Sequence, residues 1–281
     1  MCKDCGCTIA GGHHHSHEHT HGDGHTHSHE HDHHGSHGHD GEHEHHHHHH
    51  HHHHEHLHQN PQLNDKKTIA VITKILDEND REAASNRAHF NEAKVLAVNL
   101  MSSPGSGKTT LLEKTIEEGS LKIAVIEGDL ETNKDADRIK AKGAAAYQIT
   151  TGTACHLDAH MVHHALHQLP IGGMDVVFIE NVGNLVCPAS YDLGAHINVV
   201  LLSVPEGADK IQKYPVMFKS ADIIVFTKCD LLPYFDFDME EAKEDARRLN
   251  PKADILEIST KDEASVKKWI SYLKLKKELR G

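Results

Sequence analysis

At 281 residues, with 34 histidines and a formal charge of −13 counting histidine as neutral, the chain is acidic and histidine-heavy, and its composition changes abruptly near Pro61. No basic patch interleaved with aromatics is present, which argues against nucleic acid or an anionic membrane as a partner. No apolar stretch approaches a membrane span and the start lacks the apolar segment of a secretory signal, so a cytoplasmic protein is expected, with its six cysteines reduced.

The first 60 residues hold 27 of the histidines. Between Gly11 and Asn60 almost everything else is Gly, Asp, Glu, Ser or Thr, so nothing apolar offsets the entropy of ordering and disorder without metal is expected. The tail opens with Cys2, Cys5 and Cys7, a Cys-x-x-Cys-x-Cys cluster whose three soft ligands suit nickel or zinc. Behind it, interchangeable imidazoles predict a high-capacity store of modest affinity per ion. The ten-histidine run His45 to His54 has the look of an expression tag, but the mixed sequence before it favours native origin.

Residues 61–281 are a suitable length for one domain. Gln62 to Asn91 reads as one or two lead-in helices. Strand-length apolar runs follow at Val95 to Met101, Leu121 to Ile126, Asp175 to Glu180, Ile197 to Val204 and Ile223 to Thr227, with weaker runs at Ala145 to Ile149 and Ile255 to Ile258. Helical patterns fill most gaps, including Thr109 to Glu118, Leu157 to Leu169, Asp209 to Phe218, Met239 to Leu249 and Ala264 to Leu275. Alternating strand and helix predicts an α/β fold with a doubly wound, mostly parallel sheet, whose ligands lie beyond the carboxyl ends of the strands.

The first strong strand runs through Ser102-Ser-Pro-Gly-Ser-Gly-Lys-Thr109 into a helix, the context of a phosphate-binding loop. Gly105, Ser106, Gly107, Lys108, Thr109 and Thr110 would cradle phosphates on backbone N–H groups and a helix N-terminus, Lys108 supplying charge and Thr109 a magnesium ligand. Ser102 stands where the first glycine usually does, so the first turn is made without one. Thr227-Lys-Cys-Asp230 has the form of a guanine-recognition motif in which Asp230 accepts from N1–H and the 2-amino group. GTP is thereby favoured, with Lys228 along the base. Thr227 replaces the commoner Asn, which keeps ATP open. Ser259, Thr260 and Lys261 would abut the base. Two strand ends carry acids, Ile126-Glu-Gly-Asp129 and Phe178-Ile-Glu-Asn-Val-Gly183. Asp129 and Glu180 are the expected groups at magnesium and its waters, and Gly183 offers an N–H to the γ-phosphate. Lys108, Thr109, Asp129 and Glu180 are thus the catalytic candidates, with no nucleophilic residue required.

Cys155 and His156 precede one helix and Cys187 follows the strand that bears Glu180. If these loops meet, the three share a metal beside the nucleotide. A pair of buried structural cysteines is the plainer alternative. His160, His163, His164 and His167 fit a polar helix face, and Cys229 reads as structural.

From about Thr68 onward the chain resembles the hydrogenase-maturation nickel-insertion GTPases, the HypB family. The motifs that carry this are Cys-x-x-Cys-Gly-Cys, Asn99 to Thr110, Ile126 to Asp129, Thr150 to His156, Ile179 to Pro188 and Asp230-Leu-Leu-Pro233. Ser102 is not a departure from that family. The resemblance implies GTP hydrolysed slowly to GDP, nucleotide-linked homodimerisation, and a nickel or zinc site of Cys155, His156 and Cys187 at the dimer interface. It also implies an accessory partner of the HypA type and nickel delivery to the hydrogenase large subunit. The rivals are the urease accessory GTPase, which pairs its ligands as Cys-Pro-His, a metal store with an inactive domain, and an ATP-dependent kinase.

Overall fold

The computed structural model describes residues 18–20, 26–28, 66–129 and 134–280. In the tail, β1 (Glu18–Thr20) and β2 (Thr26–Ser28) pair antiparallel with His19 opposite His27. The expected disorder of the rest of the tail, and Cys2, Cys5 and Cys7, lie outside the described residues.

The residues from 66 onward belong to a separate unit. It opens with one helix, α1 (Lys66–Glu92), rather than two, because no Gly or Pro interrupts those 27 residues. The rest alternates as β3 (Leu96–Ser102), α2 (Lys108–Glu118), β4 (Ile123–Asp129), α3 (Lys134–Ala141), β5 (Ala145–Thr150), α4 (Ala159–Leu166) and β6 (Val176–Glu180). Then come β7 (Ile197–Ser203), α5 (Lys210–Lys213), α6 (Pro215–Lys219), β8 (Ile223–Thr227), α7 (Met239–Leu249), β9 (Asp254–Glu257) and α8 (Glu263–Glu278). Asp209 to Phe218 is therefore two short helices, since Pro215 cannot continue the hydrogen bonding of the first. α3 escaped the sequence pattern because only Ala136 and Ile139 of its eight residues are buried, too few to show a period.

Strands β5-β4-β6-β3-β7-β8-β9 form one sheet in that order, every neighbouring pair parallel. Alternate residues of β3 feed opposite faces: Leu96, Val98 and Leu100 pack with Leu111, Leu112, Trp269 and Leu273, whereas Ala97 packs with Phe90, Val162 and Leu166. On the other half of that second face, Val200, Leu202, Ile224 and Phe226 meet Phe218, Ala242 and Ala246. Burial on both faces explains why the strands read as continuous apolar runs. The chain leaves β3 for β4 on one side, and later strands extend the other, so the order reverses beside β3. That reversal opens a crevice at its carboxyl end, where the phosphate-loop sequence begins.

Candidate functional site

The loop after β3 makes its turns with Gly105 at φ 79° and Gly107 at φ 97°, a region open to glycine and costly for other residues. Ser102 is fully buried, and its hydroxyl donates to the Ser103 carbonyl and accepts from Lys108 Nζ at 3.0 Å. The missing first glycine therefore leaves a hydroxyl that parks the lysine head. The Ser106 hydroxyl points inward, donating to Glu206 Oε2 at 2.7 Å, so only its backbone faces the loop's concavity. The loop lies in a cleft of about 460 Å³ lined also by Thr109, Thr110, Asp129, Glu180, Gly183 and Lys228. Gly183 is there by necessity of space: a Cβ would stand 3.0 Å from Pro104, so β6's exit loop rests directly on the phosphate loop.

Thr109 Oγ1 donates to Glu180 Oε1 at 2.9 Å. Glu180 ends β6 and sits in register with Glu127 on β4, so two carboxyl groups lie side by side on one face of the sheet. Both are buried, at 2 % and 4 % exposure, and each keeps one oxygen with no hydrogen-bond partner. Burial, the Glu180 charge and a hydrogen bond to Glu180 push Glu127 up to about 11. Burial also raises Glu180, against the pull of Lys108, Glu127 and Thr109. Two buried carboxyls cannot both ionise, so the pair holds a proton. Orphaned carboxylate oxygens beside a threonine hydroxyl and a phosphate loop suit a hard, oxygen-seeking dication. Glu127 stands in the same Ile-Glu-Gly-Asp motif as the expected Asp129, and its place beside Glu180 is set by the strand register, which the sequence does not show. Asp135 and Arg138 also line the cleft, Arg138 bonded to both Glu113 and Asp135.

Toward the base side, Thr227 Oγ1 donates to the Ser106 carbonyl at 2.7 Å and is buried. Threonine thus supplies the tie between base loop and phosphate loop that its substitution for Asn had put in question. Lys228, at φ 57°, lays its chain across the loop and donates to the Gly105 carbonyl at 2.7 Å. Ser259 and Lys261 bond the two oxygens of Asp230 at 2.8 Å each, and these bonds hold its carboxyl below the usual range. Thr260, between them, is half-buried. Cys229 bonds the Phe226 carbonyl, and burial pushes its thiol up to about 11, as suits a structural residue.

Cys155, His156 and Cys187 converge, with one ligand atom from each within 4.8 Å of the others. The two Sγ atoms lie 2.9 Å apart, and the His156 ring stacks on Tyr191 at 4.0 Å between centroids. Two sulfurs and an imidazole make a donor set for a borderline transition cation rather than magnesium. This cluster is wired to the cleft. The Asn181 side chain, directly after Glu180, accepts from the backbone N–H of Leu157, two residues past Cys155. Thr151 donates its backbone N–H to the Asp129 carbonyl at 2.9 Å and its hydroxyl to the Ala154 carbonyl, directly before Cys155. Neither link is visible as a sequence pattern.

Residues 96–257 match the nucleotide-binding domain described as CobW/HypB/UreG. The chain is 50% identical over 222 residues to the hydrogenase/urease maturation factor HypB of Helicobacter hepaticus, covering 78% of this chain and 91% of that one. It is 47% identical over 222 residues to the hydrogenase maturation factor HypB of Azotobacter vinelandii, covering 78% and 73% respectively. Among solved structures, HypB from Helicobacter pylori in complex with nickel superposes with a TM-score of 0.70 at 47% identity, covering 72% of this chain and 95% of that chain. HypB from Archaeoglobus fulgidus gives 0.67 at 42%, covering 72% and 100%.

Proposed function

The chain belongs to the HypB hydrogenase-maturation family, and from that membership we propose how its residues divide the work of a GTP-hydrolysing nickel chaperone. The protein is a P-loop GTPase of hydrogenase maturation, with nickel as its cargo. Backbone N–H groups from Gly105 to Thr110, with Lys108, bind the phosphates, and Lys108 exchanges the Ser102 hydroxyl for them. Thr109, Glu180, Glu127 and Asp129 would hold magnesium and its waters, and magnesium would neutralise charge on the phosphates. Loss of the proton shared by Glu127 and Glu180 then accompanies formation of the loaded site. Asp230 reads guanine, with Ser259, Thr260 and Lys261 fixing its orientation. Gly183 offers its N–H to the γ-phosphate.

Nickel is taken by Cys155, His156 and Cys187, with zinc as the competitor. The observation that carries this assignment is the pair of hydrogen-bonded links, through Asn181 and Thr151, from the acids of the cleft to the loop bearing Cys155. A γ-phosphate that shifts the exits of β4 and β6 displaces Cys187 relative to Cys155 and changes nickel affinity. Residues 1–60 are a reservoir, with Cys2, Cys5 and Cys7 as a separate thiolate site, and residues 61–281 are the GTPase. The protein is cytoplasmic, forms a nucleotide-linked homodimer, and works with a HypA-type accessory protein and the hydrogenase large subunit. Among the described residues no helix is long and apolar enough to cross a membrane.

The test is nickel titration of full-length protein carrying Cys2, Cys5 and Cys7 as serine, followed by thiolate-to-nickel absorption, to which imidazole sites are silent. Affinity with GDP and with a non-hydrolysable GTP analogue is expected to differ by about 5- to 150-fold, the usual range for linked sites. Equal affinities overturn the switch, and no thiolate absorption overturns the ligand assignment.

A further inference from the structure

α4 is preceded by the loop that bears Cys155 and His156, and its far end carries a second group of nitrogen donors. His163 and His167 are one helical turn apart, and their Nε2 atoms lie 3.1 Å apart with the rings nearly perpendicular at 83°. Cis imidazole ligands at metal–nitrogen distances of about 2.0–2.1 Å place their nitrogens about 3.0–3.4 Å apart, so the pair already has a chelate's bite.

The tautomer of His163 is fixed by its surroundings. Asn86, fully buried on α1, spends its amide N–H groups on the carbonyls of Ala159 and Leu193. Its oxygen is then left to accept, and it lies 3.1 Å from His163 Nδ1. The Glu82 carboxylate stands 3.8 Å from the same nitrogen. In the neutral ring the proton is therefore on Nδ1, and Nε2 points its lone pair at His167. An oriented imidazole with its distal N–H held by an amide or carboxylate oxygen is how proteins prepare a metal ligand. His89, whose ring centroid is 6.4 Å from that of His167, lines with it and Glu92 a cavity of about 600 Å³ that leaves room for water.

We propose that His163 and His167 form the two-imidazole base of a second binding site for a borderline divalent transition cation of the nickel and zinc class, with water at the remaining positions. It is independent of the cysteine cluster, and magnesium is disfavoured there by the nitrogen donors. In the metal-free protein the cation's place is taken by the proton of the bond that His167 donates to His163. With α4 rising about 12 Å over eight residues, the helix carries a cation site at each end.

The tail's many histidines demand a readout that resolves single residues on the full chain. Carbethoxylation by diethyl pyrocarbonate, followed peptide by peptide with mass spectrometry, is measured during titration with zinc and with nickel. At free metal tenfold above the dissociation constant, mass action predicts that modification of His163 and His167 slows together by about tenfold. The His167→Ala variant, altered at an exposed position, should abolish protection of His163, and His163→Gln should abolish that of His167. An unchanged rate at His167 under saturating metal overturns the site, as does protection of either histidine that survives loss of the other. Alkylation of Cys155 and Cys187 in the same samples reports the other cluster. Protected cysteines with unprotected histidines defeat this site alone, and the reverse defeats only the cysteine assignment.

Discussion

The nucleotide cleft and the Cys155, His156 and Cys187 cluster open on the same edge of the sheet, yet they are held in place by different means. The cleft's acids belong to strands: Glu180 closes β6, Glu127 lies two residues before the end of β4, the β4–β6 register fixes both, and Thr109 is hydrogen-bonded to Glu180. The cluster's ligands stand on the loops that follow β5 and β6, with Cys187 opening a 3₁₀ turn, and are steadied by a stacked tyrosine and by side-chain bonds back to the cleft. A strand end resists displacement because moving it breaks the sheet ladder, whereas a loop moves by rotating a few dihedrals. The asymmetry means that nucleotide chemistry should move the metal site more readily than metal moves the acids.

The most severe way to separate the two regions is Lys108→Ala, which removes the charge at the phosphates. GTP turnover should fall by about 100-fold or more, the scale for losing one preorganised charge-stabilising group. Nickel should still bind through thiolates, but its affinity should no longer distinguish GTP from GDP. Retained nucleotide response in this variant would show that the cluster senses something other than the phosphates. The converse change, Cys187→Ala, should weaken thiolate-bound nickel by at least the 10- to 100-fold that even outer-shell losses cost, as read by nickel absorption.

A smaller effect tests the carboxyl pair. Glu127 is raised from an ordinary 4.5 to about 11, so the folded, nucleotide-free protein holds a proton that the unfolded chain has released throughout that interval. Its contribution to stability is complete below about pH 4.5 and is lost as pH rises toward 11, at up to about 1.4 kcal/mol per pH unit. Urea midpoints between pH 6 and 9 should therefore decline with pH, and Glu127→Gln, permanently neutral and of similar shape, should flatten the decline. Parallel slopes in the two proteins would place the proton elsewhere. Heats of magnesium–GTP binding should likewise depend on the buffer's ionisation enthalpy in the native protein and lose that dependence in the variant.

The cleft's importance to nucleotide was legible in Ser102 to Thr109 and in Thr227 to Asp230 because phosphate and guanine recognition use contiguous residues. The convergence of Cys155, His156 and Cys187 was legible because the loops leaving parallel strands, here β5 and β6, open on one edge of the sheet. Glu127 was passed over because the polar end of β4 breaks the apolar pattern that announces a strand, so its pairing with Glu180 had no sequence signal. The same polar stretch hid the last three residues of β4. His163 and His167 showed the right spacing, but spacing cannot tell that Asn86, on a helix 77 residues earlier, fixes one ring's tautomer. Contiguous motifs and ligands on loops at one sheet edge could be read, whereas pairings set by register across the sheet or by a packed helix could not.

The mildest test addresses the join within the cleft itself. Thr227 Oγ1 donates to the Ser106 carbonyl from a buried position, so Thr227→Val keeps the shape and leaves that carbonyl without this donor. The cost should be about 1–2 kcal/mol of stability, the range for a buried acceptor deprived of a bond. Because the bond ties the guanine loop to the phosphate loop, its loss should also raise KM for GTP more than it lowers kcat. If kcat falls instead while KM holds, the base loop positions the phosphates for reaction rather than holding the nucleotide. Thr227 would then belong with the strand-end acids as a positioning residue. Threonine at this place would be a second means, beside the β4–β6 register, of keeping the cleft rigid while the loops of the metal cluster move.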